Sequence, residues 1–181
     1  MKGMVFTEFL EMVEVCYSAD MVDDIIGDAQ PASGGAYTSV GSYDHVEMVA
    51  LVSALSTRTD TPVPALLKAF GRHLFGRFAQ GFGQFFVQST DAFHFLSGID
   101  KVIHAEVAKL YPDAELPRFH IERHTGSELV LVYRSRRHFE DLADGLIQGC
   151  IDHFGGGIQV SRTTLGEGDS RAERFVLTRQ G

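Results

Sequence analysis

The sequence predicts an α+β domain: an N-terminal helical part, then a C-terminal part with a four-stranded antiparallel sheet and one further helix. Three observations predict it. Apolar residues recur at helical spacing through most of residues 4–111. The period then drops to two over 117–135 and again over 157–178. Between those two alternating stretches, residues 137–154 return to the helical period. Helices followed by a strand-strand-helix-strand-strand run make one α+β layer architecture.

The elements follow in order. Residues 4–17 place Val5, Phe6, Phe9, Leu10, Val13 and Cys16 at helical spacing. Residues 19–29 predict a short second helix with Asp20 as its N-cap. The Gly-, Ser- and Pro-rich stretch 30–44 reads as a loop. Asp44 opens a third helix through about Ser56, with Val46, Val49, Ala50, Ser53 and Ala54 on one side. The segment TDTPVPALLKAFGRHLFGRFAQ starts with a capping residue and a proline and is amphipathic through Phe78. A glycine-broken aromatic run, GFGQFF, fills 81–86, and another helix runs from about Asp91 to Tyr111. Pro117–Arg123 and Glu128–Ser135 alternate around the turn HTGS and form a hairpin. The helix 137–154 aligns Phe139, Leu142, Ala143, Leu146, Ile147, Cys150, Ile151 and Phe154, and three glycines at 155–157 stop it. GIQVSRTTL and SRAERFVLT flank GEGD as a second hairpin.

A chain of 181 residues fits one domain with a substantial core. Its net charge of −8 argues against a nucleic-acid surface, which needs clustered positive charge. The cluster Arg134, Arg136 and Arg137 is too small to reverse that. Cys16 and Cys150 stand far apart, in no CxxC pattern, and read as reduced, buried thiols on helices. The N-terminus gains acidic residues too early for a signal peptide, and no stretch is long and charge-free enough for a membrane span. The expected place is the cytoplasm. Familiar catalytic motifs (GxSxG, HExxH, GxxxxGK[ST]) are missing.

Two features carry chemistry. In LVLVYRSRRHF, Tyr133, Ser135 and Arg137 are spaced by two. On an extended strand they would share one face over about 13 Å, at about 3.3 Å per residue, and would suit an extended anion. The same row also reads as an edge strand whose polar face meets water. In GIDKVIHAEVAKLY, His104 sits beside the apolar stripe Leu96, Ile99, Ile103, Val107 and Leu110. It reads as a core histidine bonded to a carbonyl, or as a single-residue metal ligand of the kind that holds a haem iron. Haem propionates would then be the anion that the row grips, Arg137 through charge-assisted bonds. The 14 phenylalanines suit the lining of a flat apolar cofactor and an ordinary core equally.

At this point the sequence resembles the haem-nitric oxide/oxygen-binding (H-NOX) domain family, over essentially its full length. The matching features are the start MKGMVF, the segment KAFGRHLF, the helix carrying His104, ELPRF with Pro117, and Tyr133-Arg134-Ser135-Arg136-Arg137, which fits Y-x-S-x-R at every fixed position. The resemblance implies one b-type haem buried between a distal helical part (about 1–62) and a proximal part (about 63–181). His104 would be the proximal iron ligand, Tyr133, Ser135 and Arg137 would hold the propionates, and Pro117 would press on the porphyrin. Val5, Phe9, Leu74, Phe78, Leu142 and Leu146 would line the rest of the pocket, mostly on its distal side.

Oxygen-binding relatives place a tyrosine five residues after the signature arginine, where this chain has Leu142. The resemblance therefore implies a ferrous haem that binds NO and CO and forms no stable oxygen complex. Some bacterial relatives carry a zinc site of cysteine and histidine; with only Cys150 in that region, no zinc is expected. The exposed pair Arg134 and Arg136 is expected on the opposite strand face, solvated or facing an acidic partner. The implied mechanism is a switch: NO weakens the His104 bond, and the helix bearing His104 shifts. The readout would be a separate signalling enzyme, a sensor histidine kinase or a diguanylate cyclase, and the domain a monomer. Two other classes compete: a haem enzyme, which would want a polar distal residue where Leu142 stands, and a haem-free binding module of the same fold.

Overall fold

A computed structural model describes residues 1–87, 89–112, 114–168 and 171–180, without the Leu110 side chain. The helices are α1 (Gly3–Cys16), α2 (Ala19–Ala29), α3 (His45–Thr59), α4 (Val63–Gly81), α5 (Ala92–Gly98), α6 (His104–Leu110) and α7 (Glu140–His153). A 3₁₀ turn, Gly83–Phe85, follows α4, and a π-helical segment, Ile99–Ile103, joins α5 to α6. The strands are β1 (Arg118–His124), β2 (Glu128–Arg134), β3 (Ile158–Leu165) and β4 (Ala172–Arg179). They form one antiparallel sheet in the order β1-β2-β4-β3. The expected α+β layout is therefore the observed one. Of the second hairpin, Asp169 and Ser170 lie outside the described residues, as does the Leu110 side chain of the expected apolar stripe. Among the described residues, no helix is long and apolar enough to cross a membrane.

Several local expectations are corrected. The N-cap of α2 is Ser18, whose Oγ accepts from Met21 N–H at 3.1 Å, so Asp20 lies inside the first turn. Asp44 does cap α3, accepting from Val46 N–H at 3.1 Å, but the helix runs on to Thr59. Its buried face is not the expected one. Met48, Leu51, Val52 and Leu55 are inside, while Val46 is 56% and Val49 46% exposed. The helix is apolar on more than one side, so its own period does not choose. Packing on α2 and α4 chooses, together with Glu47, which is buried by accepting from Ser33 Oγ (2.6 Å) and Tyr37 OH (2.9 Å). Those two bonds also fasten the loop 30–44 onto α3. Cys150 is buried as expected, but Cys16 is exposed, at the last turn of α1 beyond the buried Met12 and Val13.

Two apolar clusters build the interior. The first joins α1, α2, α3 and α4 with Phe139 and Leu142; the second joins α5, the sheet and the inner face of α7. Leu146 packs against both. The helices α4 and α7 hold the clusters together by crossing at glycines. A Cβ on Gly71 would lie 2.4 Å from the Leu142 carbonyl oxygen, and one on Gly145 would lie 2.1 Å from that of Lys68. Only glycine permits such main-chain contact. It brings Leu74 and Phe78 of α4 alongside Leu142 and Leu146 of α7.

Candidate functional site

His104 is the first residue of α6. Its Nδ1 lies 2.8 Å from Asp100 Oδ1, and Asp100 Oδ2 accepts from Phe119 N–H at 2.9 Å. One carboxylate thus ties the histidine to strand β1. Burial pushes the His104 pKa down, while Asp100 pulls the other way. The ring is neutral at neutral pH. With Nδ1–H donating to Asp100, Nε2 carries the lone pair and has no hydrogen-bond partner among the described residues. Carboxylate orientation of the far ring nitrogen is how metal-ligating histidines are usually held. Among the described residues there is no group of three or more His, Cys, Asp or Glu side chains able to hold a metal ion, so metal binding here would rest on one imidazole.

Tyr133, Ser135 and Arg137 come together, though not as one extended row. Strand β2 ends at Arg134, one residue short of the expected end, and Ser135–Arg137 form a turn in which Ser135 Oγ accepts from Arg137 N–H at 3.2 Å. Arg134 and Arg136 are exposed, as expected of the opposite face. Tyr133 is buried, and burial pushes its phenol up to about 12, against the pull of Ser135. The phenol is therefore a neutral donor at neutral pH. The Arg137 guanidinium is mostly buried and holds a carboxylate already: Nη2 donates to Glu115 Oε2 at 2.8 Å and Nη1 to the Glu115 carbonyl at 3.2 Å. Glu115 is 79% exposed, a partner that an incoming carboxylate can replace. Pro117 is half-buried just beyond it.

The six expected lining residues are supplied in pairs one helical turn apart: Val5 and Phe9 from α1, Leu74 and Phe78 from α4, Leu142 and Leu146 from α7. All six belong to the first cluster or pack against it. Phe9, Leu74 and Leu142 are buried, whereas Val5, Phe78 and Leu146 are only half-buried. None carries a hydrogen-bond donor. On the other side, Phe119 stands 6.0 Å from the His104 ring and 5.3 Å from the Tyr133 ring, centroid to centroid. Of the other phenylalanines, Phe75, Phe86, Phe95 and Phe154 cluster around one another and His153, with Phe86 and Phe95 stacked and the other pairs edge-on or tilted.

This donor set fits a haem. Half-buried apolar side chains suit the faces of a flat macrocycle, one neutral imidazole suits an iron, and a phenol, a hydroxyl and a guanidinium suit two rim carboxylates. Sequence reasoning missed Asp100 and Glu115. Asp100 stands four residues before His104, a helical spacing that signals contact; nothing in the pattern around Glu115 marks it. An open depression of about 540 Å³, lined by Asp91, His94, His124 and Arg179 among others, lies at the far end of β1 and β2. Its arginine is already paired with Asp91 at 3.0 Å.

Known proteins share this fold. The family model described as Haem-NO-binding matches residues 2–162. The Fe(II) unliganded H-NOX protein from K. algicida is 34% identical, with a TM-score of 0.93 over 100% of this chain and 97% of that one. The H-NOX from Shewanella woodyi, solved in the Fe(II)CO ligation state with IWP-051 bound, is 39% identical, with a TM-score of 0.85 over 99% and 95%. An H-NOX protein from S. oneidensis in the Fe(II)NO ligation state is 28% identical, with a TM-score of 0.91 over 100% of both chains. Among curated proteins there is no match. The helices and the four-stranded antiparallel sheet are thus the fold of a known group, and the chain belongs to the haem-NO-binding (H-NOX) family.

Proposed function

We propose that this protein is a gas sensor, not an enzyme, that binds NO and CO at one ferrous b-type haem and forms no stable oxygen complex. The observation that carries the reading is the Asp100–His104 pair, which orients the ring and leaves Nε2 available to a metal. Bound haem supplies the ferrous iron that takes NO or CO. His104 holds that iron, with Asp100 orienting the ring. Tyr133 and Ser135 donate to the propionates, and Arg137 exchanges Glu115 for one of them. Pro117 presses on the porphyrin. Val5, Phe9, Leu74, Phe78, Leu142 and Leu146 exclude water and line the pocket. Stable oxygen uptake needs a distal hydrogen-bond donor, and these six side chains provide none. Were His104 to leave the iron, α6 would be free to move, and a monomeric cytoplasmic domain would pass that change to a separate sensor histidine kinase or diguanylate cyclase, without nucleic acid, membrane or zinc. Relatives in Fe(II)NO and Fe(II)CO states support the choice of gases.

The test is the visible spectrum of the reduced protein. The expected result is a five-coordinate histidine-ligated haem, unchanged in form by brief exposure to air, that shifts to a five-coordinate NO complex under anaerobic NO. A stable oxygen complex would refute the distal assignment. No haem absorption, even after reconstitution, would refute the reading as a whole. Leu142→Tyr is expected to add oxygen affinity.

A further inference from the structure

Next to Tyr133 the sheet carries polar groups that the haem reading does not use. The strand register pairs Phe119 with Tyr133, Tyr133 with Glu173, and Glu173 with Thr164. Residues directly opposite one another share a sheet face, so these four form one line across all four strands. At one end, Phe119 N–H meets Asp100, the carboxylate that orients His104. Toward the other end, Glu173 is only 2% exposed.

A carboxylate buried this deeply needs partners for both oxygens. Oε1 has Thr164 Oγ1 at 2.7 Å and Arg171 Nη2 at 3.5 Å. Oε2 has no hydrogen-bond partner among the described residues, and Arg162 Nε, at 3.6 Å, is a charge neighbour only. Glu140, also buried, pairs with Arg171 at 2.6 Å and brings α7 to the same spot. Between these groups lies a cavity of about 10 Å³, lined by Tyr133, Ser135, Glu140, Arg171 and Glu173 among others. That is about the room one water molecule needs, and the lining offers it more than the two polar partners it requires. The volume is too small for a larger ligand.

We infer that this cavity holds one internal water molecule through which Glu173 positions Tyr133; the inference rests on the reading of Tyr133 as a propionate donor. The water donates one hydrogen to Glu173 Oε2 and the other to the Tyr133 phenol oxygen, which Ser135 and the Phe139 main chain also face, and accepts from Arg171. With its oxygen thus occupied, the phenol directs its own hydrogen away from the sheet, toward the cofactor carboxylate. Glu173 is a positioning residue, and its charge acts on the haem only through Tyr133.

The test uses the full chain in its ferrous CO-bound, diamagnetic form, labelled at the tyrosine ring carbons. A long-lived water is expected to show magnetisation transfer to the Tyr133 ring, with Tyr133→Phe assigning the signal. Glu173→Gln keeps the size and removes the charge. It is expected to shift the Tyr133 resonance and speed haem loss to a scavenger about tenfold, the scale of one charge-assisted hydrogen bond. In the Tyr133→Phe background the same change is expected to alter haem loss by less than about twofold. A full tenfold effect in that background would make Glu173 merely structural and overturn the proposal. So would the absence of a long-lived water at Tyr133 in the unmodified protein, a measurement that decides the matter even if Glu173→Gln fails to fold. A protein that takes up no haem fails the cofactor reading instead, and the water at Tyr133 is then read on the colourless protein.

Discussion

Gly145→Ala puts the crossing of α4 and α7 to a direct test. The added Cβ would sit 2.1 Å from the Lys68 carbonyl oxygen and 2.9 Å from Gly71 Cα. Carbon and oxygen approach comfortably to about 3.3 Å, so the helices must part by about 1 Å. Overpacking costs about 1–3 kcal/mol. The obstacle here is main chain that cannot rotate aside, which places the cost near about 3 kcal/mol. For a protein of this length each kcal/mol moves Tm by about 2–4 °C, giving a fall of about 6–12 °C. Gly76→Ala is the internal control. It lies in the middle of α4 with nothing within 4 Å of its Cβ position. There the substitution only removes backbone freedom from the unfolded chain, and a gain of about 0.5–1 kcal/mol is expected. Urea unfolding followed by far-UV circular dichroism measures both. Shifts of the same sign, or a Gly145→Ala protein within about 0.5 kcal/mol of the parent, would refute the close crossing.

Three further outcomes follow from the site and its surroundings. Asp100→Ala strips the acceptor from both Phe119 N–H and the His104 ring, and urea unfolding is expected to show a loss of about 1–3 kcal/mol. Tyr133 keeps its proton in the folded state to about pH 12, whereas an unfolded tyrosine loses it near 10. Between those values the folded state binds more protons, so its stability contribution is complete below about pH 10 and falls as pH rises toward 12; Tyr133→Phe is expected to flatten that slope in alkaline unfolding curves. A thiol reagent is expected to modify Cys16 at once and Cys150 only on unfolding, because Cys16 is exposed and burial pushes the Cys150 thiol far up. Two fast-reacting thiols would contradict the packing of α7.

The order of helices and strands was legible because most elements had one clear period, and α7, with apolar residues at steps of three and one, was the plainest. The third helix was not. Its apolar residues lie on several sides, and the side that turned inward was decided by packing on α2 and α4 together with Glu47, a charged residue that no hydrophobic count would place inside. The clamp was legible in its members and not in its shape. Spacing by two implied an extended row, whereas the chain turns after Arg134 and gathers the three groups by a turn. His104 stood out by its apolar surroundings and its partner Asp100 is one helical turn away, but the group that fixes Asp100 comes from elsewhere. Phe119 is fifteen positions further on and enters through its main chain, which leaves no trace in a side-chain pattern. The glycines at 71 and 145 were invisible for a similar reason: a glycine's absent side chain says nothing of what will press against it.

The π segment before His104 has a mechanical consequence. His104 N–H donates to the Ile99 carbonyl, five residues back rather than four. Each residue of an α-helix advances the angle by about 100°, so the extra member of this turn sets α6 out of phase with α5. Hydrogen-bond registers change by whole residues, never by fractions. The facing of α6 relative to α5 is therefore a stepped quantity, like the teeth of a gear. A helix joined this way does not drift through intermediate angles when its contacts change; it keeps one tooth or takes the next.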